Sequence, residues 1–321
     1  MVNALTEAQK LGLDTVQVFT KNQQQWVVPP LDEGGVRVWL DRLDSLGWRG
    51  RTVSHASYLI NLASGDDELW AKSKALMREE IERCHRLAIP FLVFHPGSYV
   101  RSTLDAGIER IIAACAELLD QTRATDVVLC LEGTAGAGSH LGGSFEHLAR
   151  LRNGILGKGG KAGRVGFCLD TCHLHAAGYD LRTRDAAKAV LDEFDAVCGI
   201  EHVRVLHVND SKGACGTHLD RHEHIGEGTI GGGRIKHADT GVFDQGKLEA
   251  SGFWTFMNHP AFAAIPKIME TPKDPRKGEP EPDEPFDAVN LRRLKSLIES
   301  APGQSPPRGR GKKAGGVGSA S

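Results

Sequence analysis

Seven short apolar runs alternate with longer segments of helical periodicity, and this alternation limits the fold more than any other feature of the chain. An apolar run buried on both faces is typical of a strand in a parallel sheet, and successive parallel strands need a long crossover between them. The sequence therefore predicts a parallel α/β fold. The predicted strands are Thr15–Thr20, Arg51–Ser54, Phe91–Phe94, Val127–Leu131, Val165–Leu169, Val203–Leu206 and Pro266–Met269.

Six of these runs end next to a side chain that can bind a metal ion. In an α/β barrel the active site lies at the C-terminal ends of the strands, where the six side chains would converge. Each one alone is better explained as a satisfied polar residue in a loop, but six at six strand ends indicate a shared site. In an α/β barrel the shared site would therefore contain His55, His95, Glu132, Asp170, His207 and Glu270.

The stretch after the fifth run adds a second group of ligands. His173 follows Asp170 by three residues, so the two side chains would face the same way if a helical turn begins there. His173, Asp220 and His222 together would make a three-ligand site with one position open for substrate or water. The strand-end residues would hold two further metals through a bridging carboxylate. Clustered divalent ions suit phosphoryl chemistry, because they acidify a water and neutralise charge on the phosphate.

Composition indicates which class of protein and which cellular location fit this chemistry. No stretch reaches the roughly eighteen apolar residues of a membrane helix, and residues 1–10 lack the basic and apolar parts of a signal peptide. The seven cysteines include no C-x-x-C pair, which argues against a disulfide framework. We interpret Cys130, Cys168 and Cys172 as reduced core thiols and expect a cytoplasmic protein. A formal net charge of −2 offers no general attraction to nucleic acid.

The chain is predicted to form one barrel domain over residues 1–300, followed by a tail. Residues 232–251 show no clear periodicity and are predicted to be a polar insertion, and residues 272–285 a charged, proline-rich loop. Residues 301–321 are rich in Gly, Pro, Ser and basic residues, which predicts a disordered basic tail. Such a tail could add nonspecific affinity for DNA.

Several ordered motifs resemble the endonuclease IV family. The resemblance runs from about Thr15 to Leu297, and its motifs are long and specific. They are HASYLIN at 55–61, HPGS at 95–98, EGTAG at 132–136, DTCH at 170–173 with AAGY at 176–179, HVNDS at 207–211, DRH at 220–222 with GEG at 226–228, and MET at 269–271.

The resemblance implies a TIM (β/α)8-type barrel with three zinc ions per chain that cleaves duplex DNA 5′ to abasic (AP) sites. A hydroxide between the first two zincs would attack the phosphorus in line, leaving a 3′-hydroxyl and a 5′-deoxyribose phosphate. Glu132, Asp170 and Glu270 are the implied catalytic carboxylates, and Glu132 bridges two zincs. The implied sites are His55, His95 and Glu132; Glu132, Asp170, His207 and Glu270; and His173, Asp220 and His222.

Two loops resemble the DNA-facing loops of the family. Tyr58 and Leu59 match the loop that wedges into the duplex so that the abasic nucleotide can be flipped out, which costs least where no base is stacked. Gln24 and Trp26 match a second loop, in which the family commonly has Arg at the position of Gln24. We therefore expect weaker and less salt-dependent DNA binding than in a typical member.

The N-terminus departs from the family. The family opens with a strand carrying a Gly-x-His-Val-Ser-like motif, whereas residues 1–5 already lie in the following helix. We therefore expect a barrel that lacks its first N-terminal strand and has two unpaired edges. Our hypothesis is that the true start lies upstream, and an intact native mass beginning at Met1 would contradict it. We expect a monomer.

Two other functions remain open at this point. A sugar isomerase or epimerase on the same barrel could use Glu132, Asp170, His207 and Glu270 as its metal set, but it would not need the other five ligands. About three zincs per chain would favour the nuclease, and one or two the isomerase. A non-catalytic binder of damaged DNA would be favoured if the shortened barrel held its metals incorrectly.

Overall fold

Strands and helices alternate along the chain as the sequence predicts. The computed structural model describes residues 1–233, 243–274 and 283–298. The helices are α1 Val2–Lys10, α2 Glu33–Leu46, α3 Asp67–Arg86, α4 Leu104–Gln121, α5 Phe145–Gly157, α6 Thr171–Ala177, α7 Arg184–Cys198, α8 Gln245–Ala250, α9 Gly252–Asn258 and α10 Phe286–Lys295. The strands are β1 Gln17–Val18, β2 Val53–His55, β3 Phe91–Phe94, β4 Val128–Glu132, β5 Val165–Asp170, β6 Val203–His207, β7 Asp210–Ser211, β8 His222–Glu223 and β9 Lys267–Ile268.

Seven strands form one parallel sheet in the order β1-β2-β3-β4-β5-β6-β9. The sheet curls into a nearly closed TIM-type barrel, which confirms the predicted fold class and the predicted count of seven strands. The two edges of the sheet lie close together: Gln17 on β1 donates a hydrogen bond of 2.6 Å to Glu270, just after β9. Within the described ranges no strand pairs between β1 and β9. The short antiparallel pair β7–β8 lies outside this sheet.

The barrel is filled by a small cluster of buried apolar side chains on the inner face of the sheet. Both faces of β2, β4 and β5 are buried, and for β4 and β5 the continuous apolar runs predict this. The helices cover the outer face, where a larger core contains most of the aromatic residues. The inner cluster consists of Val53, Val93, Val128, Cys130, Cys168, Val205 and Ile268.

Local chemistry sets where the helices begin and end. Ser144 caps α5, since its hydroxyl accepts a hydrogen bond from the backbone N–H of His147. Asp170 caps α6 in the same way, accepting from the N–H of His173. Helix α9 does not continue beyond Asn258, because Pro260 lacks the N–H that a continuous helix needs. A short 3-10 turn over Pro260–Phe262 follows α9.

Four predicted regions differ from the structure or lie wholly or partly outside the described residues. The strand predicted over residues 15–20 pairs only at Gln17 and Val18, because it is an edge strand with one neighbour. The predicted polar insertion contains α8, which buries Leu248. The basic tail 301–321, part of the loop 272–285 and residues 234–242 of the predicted insertion fall outside the described residues. No helix in the described part of the chain has both the length and the apolar character needed to cross a membrane.

Candidate metal centre

The predicted ligands lie at one end of the barrel because of the two-residue period of β-strands. Each strand-end ligand follows an inner-cluster residue by two positions, as His55 follows Val53 and Glu132 follows Cys130. Side chains two apart on a strand share a face, so the ligands form the next inward layer above the apolar one. His55, Glu132, Asp170 and His207 end their strands, while His95 and Glu270 come just after β3 and β9.

Glu132 is the centre of this layer. It is fully buried, and its two carboxylate oxygens face different histidines. Oε2 lies 3.1 Å from His55 Nε2 and 3.2 Å from His95 Nε2. Oε1 lies 2.9 Å from His207 Nδ1 and 3.3 Å from His173 Nδ1. One carboxylate therefore joins two groups of imidazoles, as a bridging ligand would.

The remaining carboxylates lie around His207. Its Nδ1 is 3.2 Å from Glu270 Oε2 and 3.7 Å from Asp170 Oδ2. The structure thus brings the four side chains of the predicted second site together.

The predicted third group assembles beside the first two. His173 Nε2, on α6, lies 3.2 Å from Asp220 Oδ1. His222, on β8, places Nε2 3.6 Å from the same oxygen and 3.6 Å from Asp170 Oδ2. All nine side chains predicted as ligands therefore occupy one cluster, and their assignment to individual metals stays a prediction.

Hydrogen bonds fix which nitrogen of several histidines faces the cluster. A carbonyl only accepts, so the Nδ1 atoms of His55, His173 and His222 must donate to the carbonyls of Ala56, Gly133 and Glu270, at 2.8, 2.9 and 3.1 Å. Nε2 is then the nitrogen that faces the carboxylates and that a metal ion would bind in place of a proton. A second hydrogen-bond partner that sets the tautomer is the usual arrangement around a metal-binding imidazole.

Two amide side chains that the sequence analysis did not assign hold the ligands in place. Gln17 donates from Nε2 to Glu270 and accepts at 2.8 Å from His207 Nε2, which leaves His207 Nδ1 free to face Glu132. Asn209 donates at 2.7 Å to Asp170 Oδ2 and accepts at 2.7 Å from the backbone N–H of Glu270. Asn209 lies within the motif HVNDS, which was the only sequence signal for either residue.

The charges of the cluster are balanced internally. Burial raises the pKa of the Glu132 carboxyl, but the imidazoles of His207 and His95 outweigh burial and hold that pKa well below its usual range. Burial lowers the pKa of His173, but Asp170, Asp220 and Glu132 raise it well above its usual range. A cation that binds here must displace these protons, so its affinity falls as the pH falls.

The donor set fits divalent cations. Zinc–ligand bonds of about 2.0–2.1 Å at tetrahedral angles place neighbouring ligand atoms about 3.3 Å apart, close to the separations between facing nitrogen and oxygen atoms in this cluster. His222 Nε2 is buried without a hydrogen-bond partner, although it lies beside two carboxylates. A cation would give this nitrogen the partner that the protein does not. The neighbouring Cys168 and Cys172 remain neutral thiols, since burial raises the pKa of each to about 12.

Tyr58, one of the predicted DNA-facing residues, lies beside the cluster. Tyr58 is 65% exposed, and its ring centroid lies 5.4 Å from that of His55 and 6.2 Å from that of His95. A cavity of about 310 Å³ lies beside it, lined by Tyr58, His55 and His95 among others. Gln24 and Trp26 are also exposed, and Leu59 is half-buried. The two loops are joined, because the hydroxyl of Ser57 donates to the carbonyl of Gln23 at 2.7 Å.

Comparison with known proteins identifies the class of barrel to which this chain belongs. Residues 5–238 match the family model described as xylose isomerase-like TIM barrel. A D-tagatose 3-epimerase-like protein shares the fold, with a TM-score of 0.60 at 18% identity over 92% of each chain.

Closer relatives specify the family. A probable endonuclease 4 of Methanoculleus marisnigri is 40% identical over 86% of this chain and 90% of its own length. Endonuclease IV from Thermus thermophilus superposes with a TM-score of 0.72 at 32% identity, covering 92% of this chain and 93% of the other. The chain therefore belongs to the endonuclease IV family.

Proposed function

We propose that this protein is a metal-dependent AP endonuclease, which hydrolyses the phosphodiester 5′ to abasic sites in duplex DNA. The products would be a 3′-hydroxyl and a 5′-deoxyribose phosphate. The observation that carries the proposal is the convergence of nine N- and O-donor side chains around Glu132 at the C-terminal end of the barrel. Similarity to proteins named endonuclease 4 and endonuclease IV over most of the chain supports the same activity.

The proposed cofactor is three zinc ions per chain. Each would have one of the three ligand groups predicted from the sequence, with Glu132 shared between the first and second. Bound zinc would supply Lewis-acid chemistry, by activating water and neutralising charge on the phosphate and the leaving oxygen. No protein general acid is then required.

The protein itself contributes position and charge. Glu132 lies between two pairs of imidazoles, and each of its oxygens faces a different pair. Glu270 and Asp170 are each held by a fixed amide, so their carboxylates stay in one orientation. These three carboxylates are the residues that we assign to catalysis.

Recognition of the lesion is assigned to the exposed loops around the cavity. Tyr58 and Leu59 would enter the duplex, and Gln24 and Trp26 would contact its backbone or minor groove. A flipped abasic nucleotide has no base to unstack, so its extrusion costs less than that of an intact nucleotide. The exposure of Tyr58 directly beside the metal centre supports this role.

The isomerase or epimerase alternative has less support. Its solved representative shares only the fold with this chain, at 18% identity. It also leaves His55, His95, His173, Asp220 and His222 unexplained. Zinc stoichiometry of the purified protein separates the two functions: about three per chain supports the nuclease, and one or two supports the isomerase.

Cleavage of a labelled duplex with a single tetrahydrofuran abasic analogue tests the proposal directly. We expect nicking 5′ to the analogue, its loss with a chelator, and its loss in Glu270→Gln. An undamaged duplex of the same sequence is the substrate control. If the folded, zinc-loaded protein does not nick the analogue, the proposed activity is wrong.

The state of the cysteines bears on where in the cell the enzyme acts. All seven cysteines are free and six of them are buried, which supports a reducing, cytoplasmic location. We propose that the enzyme acts as a monomer, and sedimentation equilibrium of the zinc-loaded protein tests this.

A further inference from the structure

A second group of metal-binding side chains lies beside the main cluster and is separate from its nine ligands. A ring nitrogen of His175, a carboxylate oxygen of Asp180 and the sulfur of Cys215 all lie within 4.8 Å of one another. His175 is in the last turn of α6, Asp180 follows that helix, and Cys215 lies in the loop between β7 and β8. Three different segments therefore converge on one point.

One ring nitrogen of His175 is buried without a hydrogen-bond partner. The residue is fully buried, and its Nε2 atom has no hydrogen-bond partner. The ring also has a hydrogen bond with the backbone of Tyr179, and Nδ1 has a long contact of 3.5 Å with the N–H of Leu181. Burying a polar atom without a partner costs free energy. This imidazole nitrogen therefore indicates a bound ligand, because no side chain of the protein serves as its partner.

The other two side chains are available to a cation. Asp180 is ionised, because hydrogen bonds from Arg182 lower its pKa to about 2 despite some burial. An ionised carboxylate has about four acceptor positions, so Asp180 can keep Arg182 and still bind a metal. Cys215 is the only one of the seven cysteines that is not buried.

We propose that His175, Asp180 and Cys215 form a further binding site for a thiophilic divalent cation of the zinc type. One nitrogen, one oxygen and one thiolate sulfur are ligands that zinc accepts, and a fourth position remains for water. The inference goes beyond the proposed nuclease and does not depend on it.

The position of the site indicates a structural role. The loop that carries Cys215 already contacts the end of α6, since Gly216 N–H donates to His175 O at 3.0 Å and His218 N–H donates to Ala176 O at 2.8 Å. The same loop leads to Asp220 and His222, while α6 carries His173. A cation at the site would therefore fix the two segments that supply the third ligand group.

Cobalt binding to the full chain tests this site by a signal that the main cluster does not give. The nine ligands of the main cluster are nitrogen and oxygen donors, so a near-ultraviolet thiolate-to-cobalt charge-transfer band requires a cysteine. We expect the band in the wild type, its loss in Cys215→Ser and its retention in Cys172→Ala. No band in the wild type would overturn the proposal. A band that persists in Cys215→Ser would also overturn it, because Cys172 or Cys168 would then be the ligand.

Alkylation provides a second readout that does not depend on buried substitutions. Iodoacetamide should modify Cys215 selectively in the folded protein, because the other six thiols are buried. Zinc should protect Cys215 in the wild type, and this protection should be lost in Asp180→Asn. Labelling that zinc leaves unchanged in the wild type would contradict the site.

Discussion

Gln17 shows how a single neutral side chain can control two ligands. It donates to Glu270 and accepts from His207, so it fixes the orientation of one ligand and the tautomer of the other. Partners of this kind matter nearly as much as the ligands, because a free imidazole or carboxylate must be ordered when the metal binds.

We predict that Gln17→Ala weakens zinc binding by about 10–100-fold. Competition with a chromophoric chelator measures the affinity. Gln121→Ala is the matched control, because Gln121 is an exposed residue at the end of α4. Wild-type affinity in Gln17→Ala would show that the amide is not needed to order Glu270 and His207.

Gln24 gives a prediction about charge. It is exposed in the loop joined to Ser57, where an added cation could reach a phosphate. Gln24→Arg should steepen the slope of log K against log salt by about 0.9, the effect of one further phosphate contact. Binding to an abasic duplex over a series of salt concentrations measures the slope, with Gln121→Arg as the remote control. An unchanged slope in Gln24→Arg would mean that this loop does not contact the backbone.

At the scale of elements, α3 supports both DNA-facing loops from within the protein. Arg83 donates to the carbonyls of Thr20 and Pro29, at either end of the loop that carries Gln24 and Trp26. One turn earlier, Glu80 accepts at 3.0 Å from the backbone N–H of Ser57, next to Tyr58. The loops are thus exposed at their tips and anchored on buried charges.

Glu80 makes stability depend on pH in a predictable direction. Burial raises its pKa to about 6 from an ordinary 4.5, although the Ser57 N–H and Lys21 oppose the shift. The folded state therefore binds this proton more tightly than the unfolded state does. The resulting stabilisation is complete below pH 4.5 and is lost as the pH rises through 6, a loss of about 2 kcal/mol.

The measurement is urea unfolding of the wild type and Glu80→Gln over this range. The free energy of unfolding of the wild type, relative to that of the variant, should fall by about 2 kcal/mol between about pH 4.5 and 7. Glu79 lies on the exposed side of α3, so the difference in free energy of unfolding between the wild type and Glu79→Gln should stay constant over this pH range. A constant difference between wild type and Glu80→Gln would contradict the predicted shift.

The sequence predicted the elements and ligands that depend on short-range patterns. The barrel strands were recognisable as apolar runs, and His55 and Glu132 were recognisable because each ends such a run. Gln17 was not predictable, because its partner Glu270 is 253 residues away and an amide has no metal-binding signature. Helix α8 was missed because it is short and buries only Leu248, which gives no clear periodicity.

For the whole molecule, the main cluster is a concentration of charge inside an otherwise apolar barrel. Glu132, Asp170 and His207 are fully buried. Cations that bind only the folded protein stabilise it, by about 2.7 kcal/mol per site at a free concentration one hundred times Kd. Because protons compete for the same atoms, this stabilisation should shrink in acid.

We predict that a chelator lowers the melting temperature at about pH 7.5 and has a much smaller effect at about pH 5. Calorimetry with zinc and with a chelator at both pH values measures the difference. Asp220→Asn should lose part of the zinc-dependent increase, since it affects only the third ligand group. Equal melting temperatures with and without zinc at the higher pH would contradict this prediction.

The long-range contact between Gln17 and Glu270 has a consequence for how the protein is made. A ribosome synthesises the residues that surround His207 well before it reaches Glu270, so the emerging chain holds an incomplete set of ligands for most of its synthesis. Contacts of such large sequence separation form late in folding, because the intervening chain must be ordered first. The metal centre is therefore completed only when the two edges of the sheet come together. A complete metal centre thus shows that the barrel has formed.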